Sequence, residues 1–162
     1  FLFDTRYPEN TLILLNKIKD INKPKLLDAE MNTTLEMLNL CTHAAFSYEG
    51  LMNFTGDEDI KSALRKVKNK TNTNLFVTNG PKGSYYLKDD ALVNIPTIKI
   101  KAENTLGAGD VWHGAFLYML ILNKELEECL RYANISASLK CKHFDTFSGI
   151  PSMKHVYSYL KK

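Results

Sequence analysis

The sequence predicts an α/β fold with three layers, α/β/α, built around a mostly parallel sheet. Two observations support this prediction. Short apolar segments bounded by polar loops alternate with segments that repeat apolar residues at helical spacing, and a helical tail follows them. A chain of 162 residues is long enough to bury one substantial core, so we expect a single domain over residues 1–162.

Short apolar segments predict the strands. The predicted strands are residues 1–3, 25–28, 44–46, 75–78, 84–87 and 91–95, and residues 97–101 form a further extended segment. The last two strands flank Lys88-Asp89-Asp90, which predicts a hairpin. Asp28, Ser47 and Thr78 follow three strand ends, and sheets of this kind carry their sites at the carboxyl ends of the strands.

Helices are predicted between the strands and in the tail. Pro8 starts the first helix, because proline fits the first helical position. Thr33 or Thr34 caps a short second helix through Leu40, with Glu36 as the partner in a capping box. The remaining predicted helices are residues 48–54, 58–69, 109–123, 125–140 and 152–161.

The composition argues against several functional classes. The net charge of +3, from 21 basic and 18 acidic residues, is spread along the chain, so we expect no nucleic-acid partner. The apolar runs are well short of the roughly 18 residues that span a bilayer, and there is no signal-peptide pattern, so we expect no membrane partner. The three cysteines form no metal-ligand pattern, and reduced thiols are typical of the cytoplasm, where we expect the protein.

The segment Asn104-Thr105-Leu106-Gly107-Ala108-Gly109-Asp110 is the most informative part of the chain. The first amides of a helix lack intrahelical partners and lie at the positive end of its dipole, and glycine lets an anion approach them closely. A carboxylate would repel a phosphate that only bound there. The presence of a carboxylate at this position is explained if Asp110 takes a proton from a hydroxyl while the amides bind the phosphoryl group that is being transferred. The alternative is an ordinary helix start with a capping aspartate.

This segment resembles the second signature of the ribokinase-like carbohydrate kinases, the PfkB family, whose usual form is Asp-Thr-x-Gly-Ala-Gly-Asp. Further parts of the chain resemble the same family in order: residues 4–6, 27–30, 46–56, 78–83, 133–141 and 149–151. The resemblance covers the C-terminal half of the family. It therefore implies that residues 1–162 are the nucleotide-binding part of a larger sugar kinase, an expectation with which the initial Phe1, rather than Met, agrees.

The resemblance implies a role for each residue of the candidate site. Asp110 is the catalytic base, and the amides of Gly107, Ala108 and Gly109 bind the γ-phosphoryl oxygens of ATP, with Mg²⁺ as the counter-charge. The cofactor-binding residues that it implies are Thr78, Gly80, Gly83, Asn104, Thr105, Asn134 and Ser47. It implies no protein ligand for the metal, because Mg²⁺ on ATP keeps several waters and few protein ligands.

Structural roles compete with these assignments. Residues 78–83 alone would fit a turn at the entry to the hairpin. Asn134 is either a wall of the adenine pocket or a helix-surface amide. His113 is predicted to be a packed or supporting histidine rather than a ligand, and Trp112 is predicted to belong to the core.

The chain departs from the family pattern at three places, one of which is Asp145-Thr146-Phe147 in the position of a Gly-rich turn. Asn104 replaces the usual Asp of the signature, which removes a charge beside the loop. The Asn-x-x-Glu motif that many members carry falls on Ser47 and Gly50, so neither motif side chain is present at its usual position.

The substrate that the resemblance implies is a sugar, and the strand ends Asp4-Thr5-Arg6 and Asp28-Ala29-Glu30 favour a ketose similar to fructose. Two other functions stay open at this point. One is a non-catalytic relic or nucleotide-binding module that retains the fold, and the other is a nucleoside kinase of the same superfamily. Homodimer formation is also open, since sheet edges left by an absent half would favour self-association.

Overall fold

The computed structural model describes residues 1–145, 147 and 149–160, so Thr146 and the last residue of the helix predicted at 152–161 lie outside the described residues. The chain divides into two compact units. Unit 1 comprises residues 1–79 and 85–94, and unit 2 comprises residues 80–84 and the chain from residue 95 onward. The expectation of one domain over residues 1–162 stays a prediction.

Six strands form one sheet in the order β1-β2-β3-β4-β5-β6. Their bounds are β1 Leu2–Phe3, β2 Leu26–Ala29, β3 His43–Ser47, β4 Asn74–Thr78, β5 Ser84–Lys88 and β6 Ala91–Ile95. Strands β1 to β4 pair in parallel, with Leu27 opposite Ala44 and Ala44 opposite Leu75. The predicted α/β class and the mostly parallel sheet are confirmed. The extended segment predicted at residues 97–101 is not part of a strand.

The predicted hairpin is confirmed between β5 and β6. Asp89 and Asp90 form a two-residue turn, with φ of 48° and 65°. Two successive positive φ angles define the type I′ turn, whose twist matches that of the flanking strands and which accepts aspartate. Arg65 stabilises the turn through a bidentate ion pair with Asp90. The hydrogen bonds from its guanidinium group lower the pKa of the Asp90 carboxyl.

Four helices of unit 1 connect its parallel strands. They are α1 Pro8–Lys17, α2 Leu35–Leu40, α3 Tyr48–Thr55 and α4 Ile60–Lys68. Pro8 starts α1 as predicted. Thr34 caps α2 by accepting a hydrogen bond from the Met37 amide at 3.2 Å. The predicted capping box is wrong, because the position three residues after this cap is Met37 and not Glu36.

The core of unit 1 lies between one face of the sheet and these helices. The strands contribute alternate residues, as the period of two requires: Leu27, Ala29, Ala44, Phe46, Leu75 and Val77. The helices contribute Leu15, Met37, Leu38, Leu51, Ala63, Leu64 and Val67. This packing fixes the strands, and therefore the loops that follow their carboxyl ends.

Unit 2 is mainly helical. It contains α5 Ala108–Ile121, α6 Leu126–Cys141 and α7 Met153–Leu160. Trp112 is 3% exposed and stacks on Phe116, with ring centroids 5.0 Å apart, so its predicted place in the core is confirmed. The indole N–H of Trp112 donates to Oδ1 of Asn134 at 2.8 Å, which joins α5 to α6. None of the helices in the described part of the chain combines the length and apolar character that crossing a bilayer requires.

Candidate active site

The loop before α5 is a tight turn that needs glycine. The Ala108 amide donates to the Thr105 carbonyl at 3.1 Å, and Gly107 has φ 75° and ψ 8°. These values are those of the third residue of a type II turn, where the positive φ favours glycine. A local hydrogen bond therefore closes the turn from Thr105 to Ala108, and α5 begins directly after it.

The start of α5 presents backbone amides to an exposed space. The first intrahelical bond of α5 runs from the Val111 amide to the Gly107 carbonyl at 3.1 Å. Among the hydrogen bonds of the described residues, none uses the amides of Gly107, Gly109 or Asp110. A Cβ built on Gly109 would meet no atom within 4 Å. Of the three predicted anion-binding amides, Gly107 and Gly109 thus remain available, whereas Ala108 closes the turn.

Asp110 is the third residue of α5 and is exposed. A carboxylate in the first turn interacts favourably with the positive end of the helix dipole. Within the described residues, no hydrogen bond or ion pair engages this side chain. An exposed ionised carboxylate beside unused amides is able to accept a proton from a bound hydroxyl.

Hydrogen bonds connect the loop before α5 to the end of α6, and the Asn104 side chain makes two of the bonds that shape this region. The Asn104 amide nitrogen donates to the Phe144 carbonyl at 2.7 Å, and its Oδ1 accepts from the Leu106 amide at 2.9 Å. The backbone amide of Glu103 donates to the Cys141 carbonyl at 2.8 Å. Asn104 therefore shapes the loop through its own side chain, a role for which an uncharged amide suffices.

Lys140 is a residue of this region that the sequence did not reveal. Its side chain is fully buried, with 0% exposure, and its ammonium group donates to the carbonyls of Asn104 and Leu106. A lysine near the end of a helix normally extends into solvent, and its loop partners lie more than 30 positions earlier in the chain. No local sequence pattern indicates such a contact.

Two polar side chains, one on α5 and one on α6, are buried in unit 2 and make hydrogen bonds there. Asn134 is 4% exposed, accepts from Trp112 and donates to the Ile95 carbonyl at 2.8 Å. These bonds occupy its acceptor oxygen and one amide hydrogen, and its predicted place in the wall of an adenine pocket stays a prediction. His113 is 5% exposed and its Nδ1 lies 2.8 Å from the Gly109 carbonyl, which confirms that it is a packed histidine.

The segment at residues 78–83 has a strong structural reason for its glycines. Gly80 and Gly83 have φ of 48° and 83°, and the Gly83 amide donates to the Gly80 carbonyl at 3.1 Å. A Cβ on Gly83 would lie 2.1 Å from the Ile95 carbonyl oxygen. Thr78 belongs to unit 1, where its hydroxyl donates to the Phe46 carbonyl at 3.4 Å. Their predicted contacts with a nucleotide stay predictions.

Ser47 caps α3 and contacts a carboxylate that the sequence did not place there. Its hydroxyl oxygen accepts from the Gly50 amide at 3.0 Å, and its O–H donates to Glu30 Oε2 at 3.2 Å. A Cβ on Gly50 would lie 3.2 Å from the same Glu30 oxygen. Glu30 thus brings a carboxylate from the end of β2 to the start of α3, where Gly50 has no side chain.

Comparison with known proteins gives the class of this chain. It belongs to the pfkB family of carbohydrate kinases, whose family profile matches residues 2–153. Ribokinase from Lactococcus lactis subsp. lactis is 33% identical over 100 residues, which are 62% of this chain and 33% of that protein. Deoxyribokinase from Salmonella typhi is 29% identical over 103 residues, which are 64% of this chain and 34% of that protein.

Solved structures give the same family fold. Arabidopsis thaliana ribokinase, complexed with ribose and ATP, superimposes with a TM-score of 0.88 at 26% identity, covering 99% of this chain and 55% of that chain. Fructokinase from Vibrio cholerae O395, in a form that holds fructose, ADP and calcium, shares the fold with a TM-score of 0.84 at 19% identity, covering 98% of this chain and 59% of that chain. The chain spans about a third of the length of the curated relatives that it matches.

Proposed function

We propose that the protein carrying this chain transfers the γ-phosphoryl group of ATP to a sugar hydroxyl, with Asp110 as the base and residues 107–109 as the anion-binding loop. The observation that supports this most strongly is the exposed Asp110 carboxylate beside the unused amides of Gly107 and Gly109. Membership of a family of carbohydrate kinases supports the same reaction.

Each residue contributes a separate part of the reaction. Asp110 accepts the proton of the attacking hydroxyl as the new oxygen–phosphorus bond forms and the bond from the γ-phosphorus to the bridging oxygen breaks, so that ADP leaves with that electron pair. A carboxylate is a weak base, which suffices because the transition state of phosphoryl transfer is loose and asks mainly for positioning and charge stabilisation. The amides of Gly107 and Gly109 donate to the oxygens of the transferring group. In comparable sites, removal of one such donor costs about 3 kcal/mol of transition-state stabilisation.

The loop fits a nucleotide phosphate. Unused amides at a helix start attract an anion, and outside the neighbouring backbone no protein atom lies within 4 Å of a Cβ built on Gly109. Mg²⁺ bound with ATP supplies positive charge to the phosphate oxygens. Residues 1–145, 147 and 149–160 contain no group of three or more His, Cys, Asp or Glu that could hold an ion. We propose that Mg²⁺ would be held chiefly by the phosphates and water, as is usual for magnesium bound with ATP.

The acceptor that we propose is a small sugar. The relatives' names point to ribose and deoxyribose, while the strand ends at residues 4–6 and 28–30 favour a ketose. Ribose, deoxyribose and fructose therefore form the first substrate panel. Adenosine belongs to the same panel, because its phosphorylation alone would identify a nucleoside kinase.

The substitution Asp110→Asn tests the assignment of the base, because it keeps the shape of the side chain and removes its basicity. Protein expressed from the complete coding sequence is assayed for sugar-dependent ADP release, and its affinity for ATP is measured by calorimetry. We expect kcat to fall at least about 10²-fold with ATP affinity nearly intact. Asp59→Asn is the matched control, because Asp59 also lies at a helix start but caps α4.

Each outcome has a distinct meaning. Wild-type turnover that Asp110→Asn removes and Asp59→Asn keeps supports the proposal. Turnover that survives Asp110→Asn contradicts the assignment of the base. ATP binding without turnover of any sugar or of adenosine would instead identify a non-catalytic nucleotide-binding protein.

A further inference from the structure

Lys140 is a buried cation whose partners are backbone carbonyls. Its ammonium group donates to the Asn104 carbonyl at 3.2 Å and also to the Leu106 carbonyl. No ion pair found among the described residues includes it. Burying a charge costs free energy unless hydrogen bonds replace those to water, and the two carbonyls accept such bonds. Lys140 also lies in the last turn of α6, where the negative end of the helix dipole stabilises a cation. The charge is thus held where it touches the loop before α5.

The contact fixes the direction of two loop amides. A trans peptide unit points its carbonyl oxygen and its amide hydrogen in opposite directions. The Leu106 carbonyl points to the buried ammonium group, so the amide hydrogen of Gly107 points away from Lys140. The Asn104 carbonyl also points to the ammonium group, so the amide hydrogen of Thr105 likewise points away from Lys140. Lys140 therefore sets the orientation of two peptide planes in the anion-binding loop.

The turn itself does not select this orientation. Type I and type II turns differ by a rotation of the central peptide, which here joins Leu106 to Gly107. Glycine at the third position accepts both forms, because it has no Cβ. Rotation to type I would turn the Leu106 carbonyl outward and the Gly107 amide inward. The hydrogen bond from Lys140 favours the type II form, in which the Gly107 amide is outward.

We propose that Lys140 is a positioning residue for phosphoryl transfer: it holds the Leu106 carbonyl so that the Gly107 amide faces the transferring phosphoryl group. This inference rests on the proposed function of the loop. The ammonium group of Lys140 is buried against the carbonyls of the loop, opposite to the amides that face the substrates. Lys140 therefore acts through the backbone and contacts neither substrate. Its loss should therefore lower kcat and leave the binding of both substrates nearly unchanged.

The test compares Lys140→Met with Lys142→Met in protein expressed from the complete coding sequence. Methionine keeps most of the length of lysine and removes the donor group, and Lys142 is an exposed lysine at the same end of α6. For Lys140→Met we expect kcat to fall about 10- to 100-fold while both KM values change less than about threefold. Lys142→Met should stay within about twofold of wild type.

A second readout does not depend on turnover. In ¹⁵N-labelled wild-type protein, addition of the ATP analogue AMP-PNP with Mg²⁺ should shift the Gly107 amide resonance. Lys140→Met should abolish that response and Lys142→Met should keep it. Should Lys140→Met not fold, hydrogen exchange of the wild-type Gly107 amide decides: fast exchange fits an outward amide, and slow exchange overturns the proposal.

The two proposals fail in different ways. Unchanged kcat in Lys140→Met, or a wild-type Gly107 response in that variant, overturns the role of Lys140. If the wild-type protein phosphorylates none of the sugars, the proposed function is wrong. The role of Lys140 is still tested in that case, because the shift of the Gly107 amide resonance on addition of AMP-PNP does not depend on turnover. A wild-type Gly107 amide that ignores AMP-PNP overturns the positioning role directly.

Discussion

Replacing Gly109 with alanine should stabilise the protein and slow the proposed reaction. Gly109 is the second residue of α5, and a Cβ placed on it meets nothing within 4 Å. The new methyl group therefore fits without strain. Alanine in a helix is favoured over glycine by about 0.5–1 kcal/mol. For a domain of about 150–250 residues that gain corresponds to a rise in Tm of about 1–4 °C.

The same methyl group would enter the space in which we place the phosphoryl group. It would separate an anion from amides whose individual removal lowers kcat by about 10²–10³ in comparable sites, so we expect kcat/KM to fall at least about tenfold. Tm is measured by scanning calorimetry, and kcat/KM by coupled detection of ADP release with the sugar that the substrate panel identifies.

Gly114→Ala is the matched control for the stability gain. Gly114 lies five residues further along α5, is exposed, and has equal room for a Cβ. It should raise Tm similarly and leave kcat/KM unchanged. If Gly109→Ala raises Tm but keeps wild-type kcat/KM, no anion binds against Gly109 and the proposed location of the phosphoryl group is wrong.

Two further predictions concern stability. Gly83→Ala should lower the free energy of unfolding by about 2–5 kcal/mol, because φ is 83° and the Cβ would lie 2.1 Å from the Ile95 oxygen. Gly80→Ala, with φ of 48° and no close atom, should cost only about 1–2 kcal/mol in urea unfolding, and equal losses would contradict the steric argument. Burial lowers the pKa of His43 from 6.5 to about 4, so the unfolded chain binds its proton more readily. Unfolding free energy should therefore decrease as pH falls from about 6.5 to about 4, by at most about 3 kcal/mol, and His43→Gln should remove that slope.

The sequence predicted the parts of the fold that local chemistry determines. Short apolar segments bounded by turn residues placed all six strands, and Pro8 placed the start of α1. The loop at residues 104–110 was recognisable because its glycines and aspartate are contiguous. Gly107 is able to adopt the positive φ that it has there because it lacks a Cβ, which is a property of that residue alone.

Contacts between distant segments could not be predicted in the same way. Lys140 reaches carbonyls more than 30 positions earlier, and Glu30 reaches Ser47 across 17 positions. The bonds from the Asn134 side chain to Trp112 and to the Ile95 carbonyl inside unit 2 were equally unpredictable, because those partners lie 22 and 39 positions away. These pairings depend on how helices and strands pack, and single-sequence patterns carry no information on that packing.

Trp112 gives this protein a native optical probe. It is the single tryptophan in the sequence, and it lies two residues beyond Asp110 with its indole bonded and stacked in the interior. Within residues 1–162, selective excitation therefore reports emission from one known place, about one helical turn from where nucleotide is proposed to bind. Binding and unfolding can be followed through its fluorescence without attaching a dye.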